Sequence, residues 1–201
     1  RWIDDRRLVD LCWAADAGLM PGAPRRVMTL IDFIALGKEA WDAARALARR
    51  DDLPAEALLA VEEVKVLAPI PRPAKNVFCV GRNYVEHITE DNISRDKNTD
   101  IPKVPQFFSK PPTSVVGPDD DVPLDPAATR RLDYEVELAV VIGRAGKNIA
   151  VERAMDHVFG YTIINDVSAR DLQARHDQWF KGKALDGTCP MGPWIVATDE
   201  I

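Results

Sequence analysis

Cysteine is scarce: three residues, Cys12, Cys79 and Cys189, in a chain of 201. They are odd in number and widely spaced, which excludes a disulfide framework and a cysteine-rich metal site and points to a reducing cytoplasm. Positive charge is not in excess. Lys and Arg total 26 against 32 Asp and Glu, a net charge of −6, which argues against a nucleic-acid partner. No apolar run reaches the roughly 18–20 residues that a bilayer-spanning helix needs. A glycine-rich phosphate loop is missing too, with neither GxGxxG nor a Walker lysine. Arg1-Trp2-Ile3-Asp4-Asp5 is charged from the start and no apolar leader core follows, so no signal peptide is expected. What is present, 46% hydrophobic and 29% charged residues, is the composition of a globular chain with an ample core.

Residues 1–66 read as a mostly helical N-terminal domain. Leu30, Phe33, Ile34, Ala40, Trp41, Ala44, Leu47 and Ala48 recur at helical spacing. Thr29 with Asp32 forms a helix-start cap, and Met20-Pro21-Gly22-Ala23-Pro24 a turn. Residues 67–75, with Pro69, Pro71 and Pro73, read as a proline-rich linker. From residue 76 short strands alternate with short helices. Strands are expected at 76–81, 106–110, 134–143, 160–166 and 194–197, and helices at 151–158 and 169–178. The pattern gives an α+β fold, β-rich with helical decoration.

The sharpest local signal runs from Asp133 to Gly143. Alternation along a strand puts Tyr134, Val136, Leu138, Val140 and Ile142 on one face. Glu135 and Glu137 share the other, about 7 Å apart, and Ala139 and Val141 continue it. Two carboxylates on such an apolar strand repel one another, and a divalent cation held by hard oxygen ligands relieves that cost. The other reading is an edge strand with a solvated acidic face. Asp166, at the end of an apolar strand, or Asp171 could complete the oxygen set; helix capping is the alternative for both. His87 and Glu90 stand at i and i+3, where a carboxylate can orient an imidazole that activates water. An ordinary surface pair has the same spacing. Arg170, Lys110 and Lys183 are candidate positive groups.

Together these residues resemble the fumarylacetoacetate hydrolase superfamily, in its bacterial acylpyruvate hydrolase and 2-hydroxyhepta-2,4-diene-1,7-dioate isomerase-like branch. The stretches that carry it are Val80-Gly81-Arg82-Asn83-Tyr84 with His87 and Glu90, Phe108-Ser109-Lys110-Pro111, Asp133 to Leu138, Gly160 to Asp171, and Lys183 to Trp194. The resemblance implies a mixed β-sandwich roll over residues 76–201, a metal-binding catalytic domain whose core would continue past Ile201, so the C-terminal part of the roll is expected to be missing. It implies Glu135, Glu137 and Asp166 as ligands of Mg²⁺ or Mn²⁺, with Ca²⁺ as a crystal stand-in. His87, Glu90 and Lys183 become the catalytic residues, and Arg82, Lys110, Arg170 and Gln173 the substrate-pocket groups. The expected activity is metal-dependent hydrolysis of a C–C bond in an acylpyruvate-type 2,4-dioxo acid. The alternatives are isomerisation or decarboxylation of related 2-oxo or 2-hydroxy diacids, oxaloacetate among them, or a non-catalytic truncated homologue. The expected partners are a small 2-oxo acid and a second copy in a homodimer, with neither nucleic acid nor membrane.

Overall fold

The computed structural model describes residues 3–4, 6–23, 29–85 and 101–201. Residues 67–75 form neither helix nor strand. The contacts divide the chain into two compact units, each discontinuous in sequence. One comprises Arg1–Ile70, Leu138–Ile163 and Gly192–Ile201; the other comprises Pro71–Glu137 and Ile164–Met191.

In the first unit β1 (Arg7–Val9) pairs antiparallel with β2 (Leu58–Ala60), so the N-terminal segment is not purely helical. Helices α1 (Leu11–Asp16), α2 (Leu30–Ala35) and α3 (Lys38–Ala48) lie between them. The Asp10 carboxylate caps α1, and Thr29 with Asp32 forms the expected capping box on α2. The predicted helix over 29–50 is two helices, because the chain turns at Gly37 with φ 83°. Ala14, Met20, Phe33, Ile34, Ala40, Ala44 and Leu47 build a core around Phe159. Trp41 meets the Phe159 ring edge-on at 4.8 Å.

Strands β7 (Val136–Ile142), β8 (Val158–Asn165) and β11 (Val196–Ala197) form a sheet ordered β11-β8-β7. The alternation on β7 is as the sequence predicts, but its polarity towards solvent is inverted. Val136, Leu138, Val140 and Ile142 are all more than half exposed, whereas Glu137, Ala139 and Val141 are half-buried. Val141 reaches the core cluster. Among the described residues the longest strand is β8, and the strand expected over 134–143 begins only at Val136.

In the second unit β3 (Val77–Gly81) and β4 (Gln106–Lys110) pair antiparallel in the register Val77 to Lys110. The short strands β5 (Val115–Val116) and β10 (Cys189–Pro190) pair in parallel. Most consequential for the site is β6 (Leu132–Asp133) against β9 (Ser168–Ala169), with Leu132 opposite Ala169 and Asp133 opposite Ser168. Helix α4 (Arg170–Arg175) follows β9 directly, and α5 (Phe180–Lys183) packs on it. A Cβ on Gly182 would lie 2.8 Å from the backbone nitrogen of Gln173, so only glycine admits this approach. Among the described residues no helix is long and apolar enough to cross a membrane.

Candidate active site

The β6–β9 pairing brings two carboxylates that are 31 positions apart in sequence to one place. The Asp166 amide donates to the Glu135 carbonyl at 2.7 Å, and the Glu135 amide donates to Asn165 Oδ1 at 3.1 Å. Their side chains then meet on one nitrogen. Lys183 Nζ donates to Glu135 Oε2 at 2.7 Å and to Asp166 Oδ2 at 2.8 Å. Asp166 and Lys183 are each only 2% exposed.

The ion pairs continue on both sides. Lys110 Nζ lies 2.9 Å from Asp166 Oδ1. Arg170 pairs with the other Glu135 oxygen and, through Nε at 2.9 Å, with Asp133. The result is an alternating chain, Lys110, Asp166, Lys183, Glu135, Arg170, Asp133, with three charges of each sign. A buried charge is tolerated only when paired and hydrogen-bonded, and this alternation is how the fold meets that demand. The charges of Glu135 and Asp166 are therefore already offset by the chain's own cations. Burial pushes the Glu135 carboxyl up, but Lys183 and then Arg170 outweigh it and hold the group below its ordinary range. Burial likewise disfavours the Arg170 charge, and Glu135 and Asp133 overcome it.

Above this floor lies a cavity of about 700 Å³. Glu135, Arg170 and Lys183 reach it from below; Arg82, Phe108, Glu137, Gln173 and Trp179 stand on its walls. Gln173 Oε1 accepts from Arg170 Nη1 at 3.1 Å. Lys110 does not line this cavity. It is fully buried, donating to the carbonyls of Val167 and Lys183 and to Thr188 Oγ1, the placement of a supporting group beneath the floor. His87 and Glu90 lie outside the described residues. Cys79 and Cys189 are not nucleophiles here: burial pushes their thiols up to about 12 and about 11. Asp171 is engaged elsewhere, accepting from Thr129 Oγ1 and from the amides of Arg130 and Leu172.

Sequence reasoning missed Asp133 as the partner of Arg170 and Trp179 as a wall. It also missed that Lys183 would sit between two acids. The pairing of β6 with β9 brings Asp133 to Arg170, and the packing of α5 on α4 and β9 brings in Lys183 and Trp179.

The oxygen chemistry of the floor suits a hard cation. Asp166 Oδ1 is buried with Lys110 Nζ 2.9 Å away but out of hydrogen-bond alignment, and the Lys183 ammonium already occupies the space between Asp166 and Glu135. Among the described residues no three His, Cys, Asp or Glu side chains stand gathered as a finished cage. Glu137 lines the same cavity as Glu135.

Convergent acids, an ammonium between them and a polar cavity above are the parts of an enzyme site. The family described as Fumarylacetoacetate (FAA) hydrolase C-terminal matches residues 76–201, and the chain belongs to it. Its fold in this region, mixed strand and helix with open sheets among the described residues, is that family's. Oxaloacetate tautomerase YisK of Bacillus subtilis is 45% identical over 207 residues, covering 99% of this chain and 65% of that protein. The fumarylacetoacetate hydrolase of Exiguobacterium antarcticum superposes with a TM-score of 0.65 at 40% identity, over 86% of this chain and 56% of that one. A 5-carboxymethyl-2-hydroxymuconate delta-isomerase from Mycobacterium smegmatis gives 0.59 at 39% identity, over 70% and 53%. The chain spans roughly half to two thirds of the length of the curated relatives it matches.

Proposed function

We propose that this chain carries the site of an isomerase that interconverts keto and enol forms of a small 2-oxo diacid of the oxaloacetate type. The observation that supports this most is the Lys183 ammonium, held against Glu135 and Asp166 at the cavity floor. A tautomerase must stabilise the negative charge that grows on the C2 oxygen when C3 loses a proton, and a fixed, desolvated donor does so at low reorganisation cost. Two relatives, a tautomerase and a delta-isomerase by name, share that proton shift. C–C hydrolysis, the leading expectation from sequence, draws less support from them.

Glu135 and Asp166 are the carboxylates that would hold a divalent cation, Mg²⁺ or Mn²⁺, in place of the Lys183 ammonium, with Glu137 on the adjoining wall. When bound, that ion supplies Lewis-acid polarisation of the 2-oxo acid. The protein's own groups do the rest. Arg170, fixed by Asp133 and Glu135, keeps the floor neutral and presents a donor with Gln173. His87, paired in sequence with Glu90, would take the proton from C3 and return one to the C2 oxygen, leaving the atom count of the substrate unchanged. No water enters the balance, so the same dyad needs no nucleophile.

The test follows the ultraviolet absorbance of oxaloacetate enol with Mg²⁺ and with chelator, beside acylpyruvate cleavage. Faster enol–keto equilibration that chelator abolishes, with little cleavage, supports the reading. Rapid acylpyruvate hydrolysis with no effect on tautomerisation refutes it. His87→Ala should slow the proton shift about 10²–10⁴-fold, the usual worth of a positioned base.

A further inference from the structure

Arg82 stands apart from the other cations of the cavity. Arg170 and Lys183 are committed to carboxylates, and Lys110 is sealed beneath the floor. Among the described residues no carboxylate pairs with Arg82. Its guanidinium instead lies over the Trp179 ring, 5.7 Å from the centroid. The ring cannot drift. It packs so closely on Gly81 that a Cβ there would sit 2.2 Å from Trp179 Cζ3, and it meets Phe108 edge-on at 5.7 Å. Arg82 also has a left-handed backbone, φ 53°, shared among described non-glycine residues only by Asn148. An arginine gains nothing locally from that conformation, and glycine would adopt it freely. Strained backbone held by its surroundings marks positions where the side chain's aim matters.

We propose that Arg82, braced on Trp179, is the specificity residue that receives the second carboxylate of a dicarboxylate substrate, the one remote from the 2-oxo acid end. This rests on the 2-oxo acid reading of the floor. A half-buried guanidinium with its face on an indole keeps its edge donors free, and two parallel N–H groups match a carboxylate. The floor ammonium and the carboxylates around it serve the oxo end, so the wall cation is the group left for the distal charge. A monocarboxylate would leave Arg82 unused, and the discrimination between the two is the free energy of that one charge-assisted pair.

The test compares two non-reacting probes by titration calorimetry in Mg²⁺. Oxamate has the 2-oxo acid head alone; N-oxalylglycine has the same head and a second carboxylate. Arg82→Gln and Arg82→Gly are measured beside the parent. Both variants should weaken N-oxalylglycine about 10- to 100-fold while oxamate stays within about 2-fold. Arg82→Gly, relieved of its left-handed strain, should melt at or above the parent temperature. A parent that binds both probes and variants that lose both equally, or neither, would overturn the role of Arg82 and leave the 2-oxo acid reading standing. A lower melting temperature in Arg82→Gly together with equal losses would make the residue structural. A parent that binds neither probe would overturn the 2-oxo acid reading and this assignment with it.

Discussion

Replacing Lys183 by methionine tests the electrostatic account of the floor most directly. The ammonium is 2% exposed and bonds two carboxylate oxygens at 2.7 and 2.8 Å. Methionine keeps the volume of the stem and removes the charge, so three cations facing three anions become two facing three. Glu135 retains Arg170 and some solvent, while Asp166, almost fully buried, keeps only Lys110. Stranding a buried charge in this way costs about 3–5 kcal/mol, far above the worth of a surface pair. With a urea slope of about 2–3 kcal/mol per molar, the unfolding midpoint should fall by about 1–2.5 M. Adding Glu135→Gln to Lys183→Met restores the balance of charge, and the double variant should recover about 1–2 kcal/mol of the loss. Urea unfolding followed by tryptophan fluorescence reads all three variants. A midpoint within about 0.3 M of the parent for Lys183→Met, or a double variant less stable than the single, would show that the alternating chain is not what holds the acids together.

The remaining predictions concern acid, packing and the wall. Glu135 has a folded value below its ordinary 4.5, so its contribution is complete above the unfolded value and is lost as pH falls through the folded one. Stability should be level above about pH 5.5 and decline below it, and Glu135→Gln should flatten that acid limb; an unchanged limb would mean other carboxylates control it. Gly81→Ala should cost about 1–3 kcal/mol by driving a methyl group into the Trp179 ring. A shifted tryptophan emission should accompany the loss, and an unshifted spectrum at full stability would contradict the packing. The gain in stability of Arg82→Gly joined to its loss of selectivity, and the chelator-sensitive enol assay, complete the set.

The sequence made the acids legible because they sit at or near strand ends: Glu135 falls just before β7, Glu137 within it, and Asp166 just after β8. Local rules also located the Thr29 and Asp32 cap and both β3 and β4, whose Gly and Pro boundaries are short-range signals. The charge partners were hidden. Arg170 and Asp133 meet through the β6–β9 pairing, a contact across more than 30 residues that no local pattern encodes, and the packing of α5 on α4 and β9 brings in Lys183. Solvent polarity of β7 was misleading for the same reason. An apolar stripe of Val136, Leu138, Val140 and Ile142 ordinarily faces a core, and here it is the glutamate side that turns inward. The family resemblance makes Lys110 a pocket group; its burial depends on Val167 and Thr188, which belong to distant segments.

The bonds between the Glu135 main chain and the Asn165-Asp166 corner have a wider consequence for how such a site can diversify. Because a main-chain bond and the Asn165 side-chain amide fix the corner, the floor keeps its shape whatever stands around the rim. A ligand meeting it does not have to organise the acids, and the ordering entropy that a loop-built floor would demand at each encounter has been spent during folding. Rim positions such as Arg82 and Trp179 are then free to drift, each change altering which molecule is admitted without disturbing the step performed below. Diversity of substrates on one invariant reaction centre is the natural outcome of that division of labour.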